Sequence, residues 1–282
     1  MIEHIVISSG GPHILVQLGM IAEAIQSGII DQFAIKSIHG CSSGSILGTF
    51  LCLRIPIQEV VDYVIQRTWE KCVYYTIQDF YSKKAILDIE WIAEMLIPFL
   101  KAYDIPLTVT LYEFYQRTNI DFDILTTEVS EMKSVLLNHT TFPDIPLLTA
   151  VKMSSAVPVV FPPVNYLDKY YIDGVCRRHC PMVDYPEDTV CVFFVDNTKH
   201  MTLNMENASD YFQYIFMKSY CILSSSESIP KGLFLSCYDI PSVMDANLWK
   251  RTIEDSSYRA EMIEVGRAIV RKIEPVLPSL SE

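Results

Sequence analysis

The chain has 282 residues, half of them hydrophobic and one fifth charged, with a formal net charge of -12. That composition sustains a buried core and excludes intrinsic disorder. With no basic stripe anywhere, the acidity excludes a nucleic-acid partner held through phosphates, and it makes contact with an anionic membrane surface transient or hydrophobic at most.

The start, MIEHIVISSG, has an acid at Glu3 and no cationic region ahead of a long apolar core, so it does not read as a secretory signal. Apolar runs such as Val190 to Val195 are too short to span a bilayer. Eight cysteines at irregular positions suit buried thiols in a reducing compartment. The expectation is a soluble cytoplasmic protein, not secreted, without a transmembrane segment and peripheral at membranes if it meets them. No linker, charge block or repeat divides the chain, so residues 1–282 are expected to form one domain.

In chain order, His4 to Ser8 read as a short strand ending at a Ser-Gly-Gly-Pro turn. From Ile14 apolar residues recur at helical spacing, with Leu15, Leu18, Ile21, Ala22 and Ile25 on one face, Pro12 suited to the first turn and Gly28 to the stop. Residues 33–40 (FAIKSIHG) read as a second strand, followed by a Gly-Cys-Ser-Ser-Gly turn and a helix over Ser45 to Leu53 that stops ahead of Pro56. Such a crossover makes the two strands parallel and brings both glycine turns to the same end of the sheet.

Helices follow over 57–67, 88–103 and 110–117, whose aromatic residues Tyr63, Trp91, Phe99, Tyr112 and Phe114 are expected in the core. Residues 122–129 and 133–139 read as a strand pair, 145–164 as a helix broken at Pro158, and the stretch around YLDKYYIDGV as two short strands. Residues 188–196 and 233–239 read as further strands, and a closing helix is expected from about Ser257 to Glu274 with Ala260, Ile263, Val270 and Ile273 on one face. Strands alternating with helices define an α/β fold.

Chemistry concentrates at the two glycine turns. Ser42 stands between Gly40 and Gly44, the G-x-S-x-G spacing of a nucleophile elbow, where side chains beside the serine would collide with neighbouring backbone; a plain Gly- and Ser-rich turn competes. Gly10 and Gly11, at the mouth of the first helix, present N–H groups suited to an oxyanion. A serine needs a base, and the histidines are His4, His13, His39, His139, His179 and His200. The chain order of an α/β-hydrolase does not fit, because Ser42 follows only two strands and nothing after His200 can serve. A carboxylate is the other route: Asp173 ends a short strand ahead of Gly174, although a plain hairpin turn also fits that dipeptide. Ser43 is expected to face away and Ser155 to shape the loop beside the cleft. Cys176, His179, Cys180 and Cys191 offer one close ligand pair where a zinc site shows two, so no metal is expected.

SSGGPH after the first strand, GCSSG after the second, MSSAVPVVFPPV and YYIDGV, in this order over residues 4–196, resemble the patatin-like phospholipases. The resemblance implies a three-layer α/β/α fold with a mostly parallel central sheet, with residues 197–282 completing it. It implies that Ser42 and Asp173 form a catalytic dyad, that Gly10 and Gly11 belong to the oxyanion loop, and that the protein cleaves fatty acyl esters of lipids or phospholipids without a cofactor. Ser9 replaces the first glycine of the family motif, His13 stands where an Arg or Lys is expected and becomes an auxiliary, and Val175, Cys176 and Arg177 depart from the pattern after Asp-Gly. Two other activities fit the same residues: a catalytically inactive binding module, and an acyltransferase or thioesterase on the same dyad. The sequence specifies neither headgroup, acyl position nor protein activator.

Overall fold

A computed structural model describes residues 1–69, 82, 84–195, 214–215, 229–238 and 246–273. In chain order the elements are β1 (His4–Ile7), α1 (Ile14–Gln26), β2 (Ser37–Cys41), α2 (Ser43–Cys52), α3 (Ile57–Gln66), α4 (Glu90–Ala102), α5 (Leu111–Thr118) and β3 (Asp121–Glu128). There follow β4 (Lys133–Leu137), α6 (Leu147–Ser155), β5 (Val164–Tyr166), β6 (Lys169–Asp173), β7 (Val190–Val195), β8 (Leu233–Cys237), α7 (Ala246–Glu254) and α8 (Ser256–Ile273). The strands form one sheet in the order β5-β6-β3-β2-β1-β7-β8, with β4 on β3. As the crossover predicts, β1 and β2 pair in parallel, and β3, β7 and β8 continue that direction. This is an α/β fold with a mostly parallel central sheet flanked by helices.

One junction in this sheet positions everything that follows. Residues 121–125 of β3 pair with β2, residues 126–128 with β6, and residues 124–128 with β4. A strand has only two edges, and β4 overlaps both of the others, so β2 and β6 must share the edge opposite β4. They meet there head-on: Cys41 lies opposite Leu125 and Asp173 opposite the next residue, Thr126.

Side chains of every described helix contribute to one large core against the face of Ile5, Ile7, Ile38 and Phe193, while Val6, Val190, Val192 and Phe194 form a smaller cluster on the opposite face with Cys180. The alternation follows from the two-residue period of a strand. α1 differs from the one-sided helix expected, being buried on all sides from Ile14 to Ala24. The reason is α8, which lies so close that a Cβ on Gly19 would stand 2.0 Å from the Ile263 carbonyl oxygen, and one on Gly266 would stand 2.1 Å from that of Val16. Backbones meet only where glycine leaves room.

Several boundaries move. β2 starts at Ser37 instead of residue 33, because Asp31 Oδ1 accepts the Phe33 N–H at 2.9 Å and folds that stretch into a turn. α2 starts at Ser43, two residues early, and α6 ends at Ser155, ahead of the backbone restriction imposed by Pro158. Tyr112 is 47% exposed, a correction to its expected place in the core, whereas Phe99 and Phe114 are buried. α7 was not expected at all. His200, Glu274 and the last residues of the strands predicted over 188–196 and 233–239 lie outside the described residues, as does most of the stretch 197–228. No helix among the described residues is long and apolar enough to cross a membrane.

At the other end of the strands a buried hydrogen-bond chain ties β1, β2 and β3 together. His4 Nδ1 meets Ser37 Oγ at 2.7 Å, Ser37 Oγ meets His39 Nε2 at 2.8 Å, and His39 Nδ1 meets Asp123 Oδ2 at 2.7 Å. Hydroxyl, imidazole and carboxylate stand in the order of a nucleophilic triad. Ser37, however, is 1% exposed, and the Tyr185 ring lies flat on His4 with centroids 3.6 Å apart, so the chain is a brace.

Candidate active site

Ser42 sits between the end of β2 and the start of α2 with φ 55° and ψ -122°. A side-chain-bearing residue in this region carries strain, typically about 1–3 kcal/mol, and persists only where its surroundings hold it. They do so here from both sides. The Ser42 N–H donates to Ser154 Oγ at 2.9 Å, and the Ser154 hydroxyl in turn donates to the Leu125 carbonyl at 2.6 Å. Ser45 donates its N–H and hydroxyl to the Ser42 carbonyl at 2.8 and 2.7 Å. Gly40 is the penultimate residue of β2, where a Cβ would lie 2.5 Å from the Gly44 carbonyl oxygen, and Gly44 packs so closely on β1 that a Cβ there would lie 2.3 Å from the Ile7 carbonyl oxygen. Ser42 therefore stands at the tip of a strained strand-to-helix turn, flanked by the glycines at the predicted spacing.

Ser154 sits inside a quoted motif, yet its role was invisible, because its partners lie 112 and 29 residues away. Ser154→Ala leaves a buried N–H and a buried carbonyl without their partner. It is expected to lower stability by about 1–3 kcal/mol in urea unfolding, with Ser154→Thr losing less.

Asp173 arrives at the same place from β6 and is fully buried. Its Oδ1 accepts the Val175 N–H at 2.8 Å and faces the Cys41 thiol at 3.9 Å, while Oδ2 has no hydrogen-bond partner. Burial pushes its carboxyl up to about 7, against the Ser42 hydroxyl, the Val175 N–H and the Cys41 thiol, which all favour the charged form. The Ser42 hydroxyl is thus among the groups acting on the carboxyl although Oδ2 has no hydrogen-bond partner; catalytic hydrogen bonds are commonly incomplete in sites without substrate. Burial, with Asp173 beside it, pushes the Cys41 thiol well above its usual range, so this sulfur is a weak donor and no nucleophile. Gly174, next in the chain, allows Cys41 Sγ and the Leu125 carbonyl to crowd its Cα.

Ser42 opens into a cavity lined mostly by apolar side chains and by Gly11, Pro12, Ser43 and Ser155. Gly10 precedes the short turn Gly11–His13 that leads into α1 and accepts the His13 N–H at 3.0 Å. His13 is buried and is not among the residues lining the cavity, so its imidazole does not face Ser42 through that space. Ser9, standing for the family's first glycine, meets His179 Nδ1 at 2.8 Å through its hydroxyl. The Ser43 hydroxyl donates to Gln17 Oε1 at 2.7 Å, and Gln17 Nε2 donates to the Ser8 carbonyl at 2.8 Å, which locks the glycine turn to the elbow. Gln17 went unremarked in the sequence, where its signal is a single amide in an otherwise apolar helix start. Among the described residues no group of three or more His, Cys, Asp or Glu side chains is arranged to hold a metal ion.

A model of the patatin-like phospholipase family matches residues 5–184. The chain is 23% identical over 153 residues to a "Probable lipid hydrolase" of Invertebrate iridescent virus 6, a stretch covering 52% of this chain and 52% of that protein. It is 21% identical over 263 residues to an uncharacterized protein of Acanthamoeba polyphaga mimivirus, covering 88% of this chain and 87% of the other. Among solved structures, VipD from Legionella pneumophila aligns with a TM-score of 0.44 at 14% identity, over 93% of this chain and 66% of its own. The chain thus spans about half the length of the first of these relatives and about two thirds of VipD.

Proposed function

The chain belongs to the patatin-like phospholipase family, and from that premise we propose that it is a lipid acyl hydrolase in which Ser42 is the nucleophile and Asp173 its base. The reading rests above all on one pairing: a strained serine at an elbow tip, and a fully buried carboxyl with one oxygen unpartnered, brought to adjacent positions on one edge of β3. A carboxylate at its ordinary pKa is a poor base toward an alcohol, and burial supplies the missing basicity.

In this mechanism Ser42 Oγ attacks the ester carbonyl as its proton passes to Asp173 Oδ2. The carbonyl oxygen takes up the negative charge facing the N–H groups of Gly10 and Gly11 at the mouth of α1. The tetrahedral intermediate collapses, the C–O bond to the alcohol breaks, and Asp173 returns the proton to the departing oxygen. Water, deprotonated by Asp173, then attacks the acyl-serine and releases the fatty acid while Ser42 regains its proton. The apolar cavity receives the acyl chain, and full burial keeps Asp173 dry. The substrate class is a lipid carboxylic ester, with phospholipids cut as by a phospholipase A, met transiently at a membrane surface by an acidic protein.

Wild type incubated with a mixed lipid extract is expected to release fatty acids detected by mass spectrometry, and a fluorophosphonate probe is expected to label Ser42. Ser42→Ala should do neither, at unchanged melting temperature. Equal fatty-acid release by wild type and Ser42→Ala would end the proposal.

A further inference from the structure

The cavity beside Ser42 is apolar on most of its walls, yet three of the residues that line it carry a buried polar atom with no partner: Ser155 Oγ, Trp91 Nε1 and Thr252 Oγ1. Ser155 is 3% exposed and Thr252 7%. A polar group buried without a partner costs folding free energy and calls for an explanation at each site. Ser155, one residue from the Ser154 that holds the elbow, belongs to the reaction end. Trp91 and Thr252 form a second polar spot. Thr252 follows Trp249 by three residues on α7, hence on the same face, and the Trp249 and Trp91 rings stand 6.3 Å apart.

Arg259 also lines the cavity, but its guanidinium is turned elsewhere. Nε and Nη2 donate to the Ile65 carbonyl at 3.3 and 2.7 Å, Nη2 also to that of Arg67 at 3.0 Å, and Nη1 to those of Thr252 and Ile253 at 3.2 and 2.9 Å. Those bonds engage all five N–H groups of an arginine on the ends of α3 and α7. What remains for a ligand is neutral: an indole N–H that donates and a hydroxyl that donates or accepts. A phosphate or carboxylate would want charged donors there, and a plain hydrocarbon would leave both atoms unpaired.

We propose that this cavity binds an acyl chain carrying a neutral oxygen substituent, a hydroxyl or keto group, which accepts from Trp91 Nε1–H and pairs with Thr252 Oγ1. The identification of the ligand as an acyl chain rests on the hydrolase reading; the polar spot itself does not.

The test uses the full chain with Ser42→Ala, so that binding is read without turnover. All three tryptophans, Trp69, Trp91 and Trp249, line the cavity, so intrinsic fluorescence reports its occupancy. Positional isomers of hydroxystearic and ketostearic acid are titrated against stearic acid. At least one isomer is expected to bind about tenfold more tightly than stearate, the effect of one or two neutral hydrogen bonds. Adding Thr252→Val or Trp91→Phe should abolish that advantage, the substituted acid then binding each variant no more tightly than stearate binds the same variant. Thr252→Val should also hold or raise the melting temperature, since it removes a hydroxyl with no partner in the fold. Stearate binding as well as every isomer, no binding of any fatty acid, an advantage that survives both variants, or a lower melting temperature for Thr252→Val would each overturn the proposal. Failure of wild type to hydrolyse any lipid ester would instead strike the catalytic reading, with the binding result standing apart from it.

Discussion

Asp173→Asn is expected to abolish hydrolysis and, at neutral pH, to make the protein more stable. The carboxyl titrates near 3.8 in an ordinary setting but at about 7 when buried in the fold. Between those values the unfolded chain has released the proton that the folded chain still binds. Raising the pH through this window therefore favours unfolding, and the loss is complete above about pH 7. Three units correspond to about 4 kcal/mol, at roughly 1.4 kcal/mol each. Asparagine keeps an Oδ1 for the Val175 N–H and never ionises, so it escapes this cost. In a domain of this size the gain should appear as a rise on the order of 10 °C in melting temperature at pH 8. Below about pH 4 both states of the wild type are protonated, and the gain should vanish. Hydrolysis should fall by about a thousandfold or more, the scale on which losing a general base is felt. A gain of equal size at pH 4 and pH 8 would show that a titrating buried carboxyl is not its source.

That trade sets the limits of what the sequence could disclose. The elbow was legible because its constraint is local: Gly40 and Gly44 bracket Ser42 within five residues, and the crossover that aligns it with Gly10 and Gly11 follows from strand and helix periodicities. Asp173 was legible only as an Asp-Gly step in a family-like order. What delivers it to Ser42 is an antiparallel strand that takes over the β3 edge where β2 stops, which sets Asp173 beside Cys41, 132 residues away in the chain, and no periodicity encodes that meeting. Ser154 and Gln17 escaped for the same reason, since each serves by a hydrogen bond to a distant turn. α7 escaped because only Leu248, Thr252 and Ile253 are buried among its described side chains, residues 247–254, too sparse an apolar stripe to stand out. The strand predicted from residue 33 erred in the opposite direction: β-branched and aromatic composition suggested extension, and one aspartate cap overrode it.

Wild-type hydrolysis should lose about tenfold in kcat/KM per pH unit below an inflection near 7, so that about one part in a hundred remains at pH 5. The base acts only when ionised, and burial, not a neighbouring charge, is the leading cause of its raised value. An imidazole would give a similar inflection, so the variants decide. His13→Gln and His39→Asn should leave the inflection where it is, since neither ring is among the influences on Asp173. Cys41→Ala should move it to higher pH, because the thiol is one of three groups that favour the ionised carboxyl, and losing it leaves burial less opposed. The Cys41 variant should accordingly be slower than wild type at pH 7 and approach it at pH 9, where Asp173 is ionised in both. An inflection that follows His13 and ignores Cys41 would assign the proton to the imidazole and remove Asp173 from the reaction.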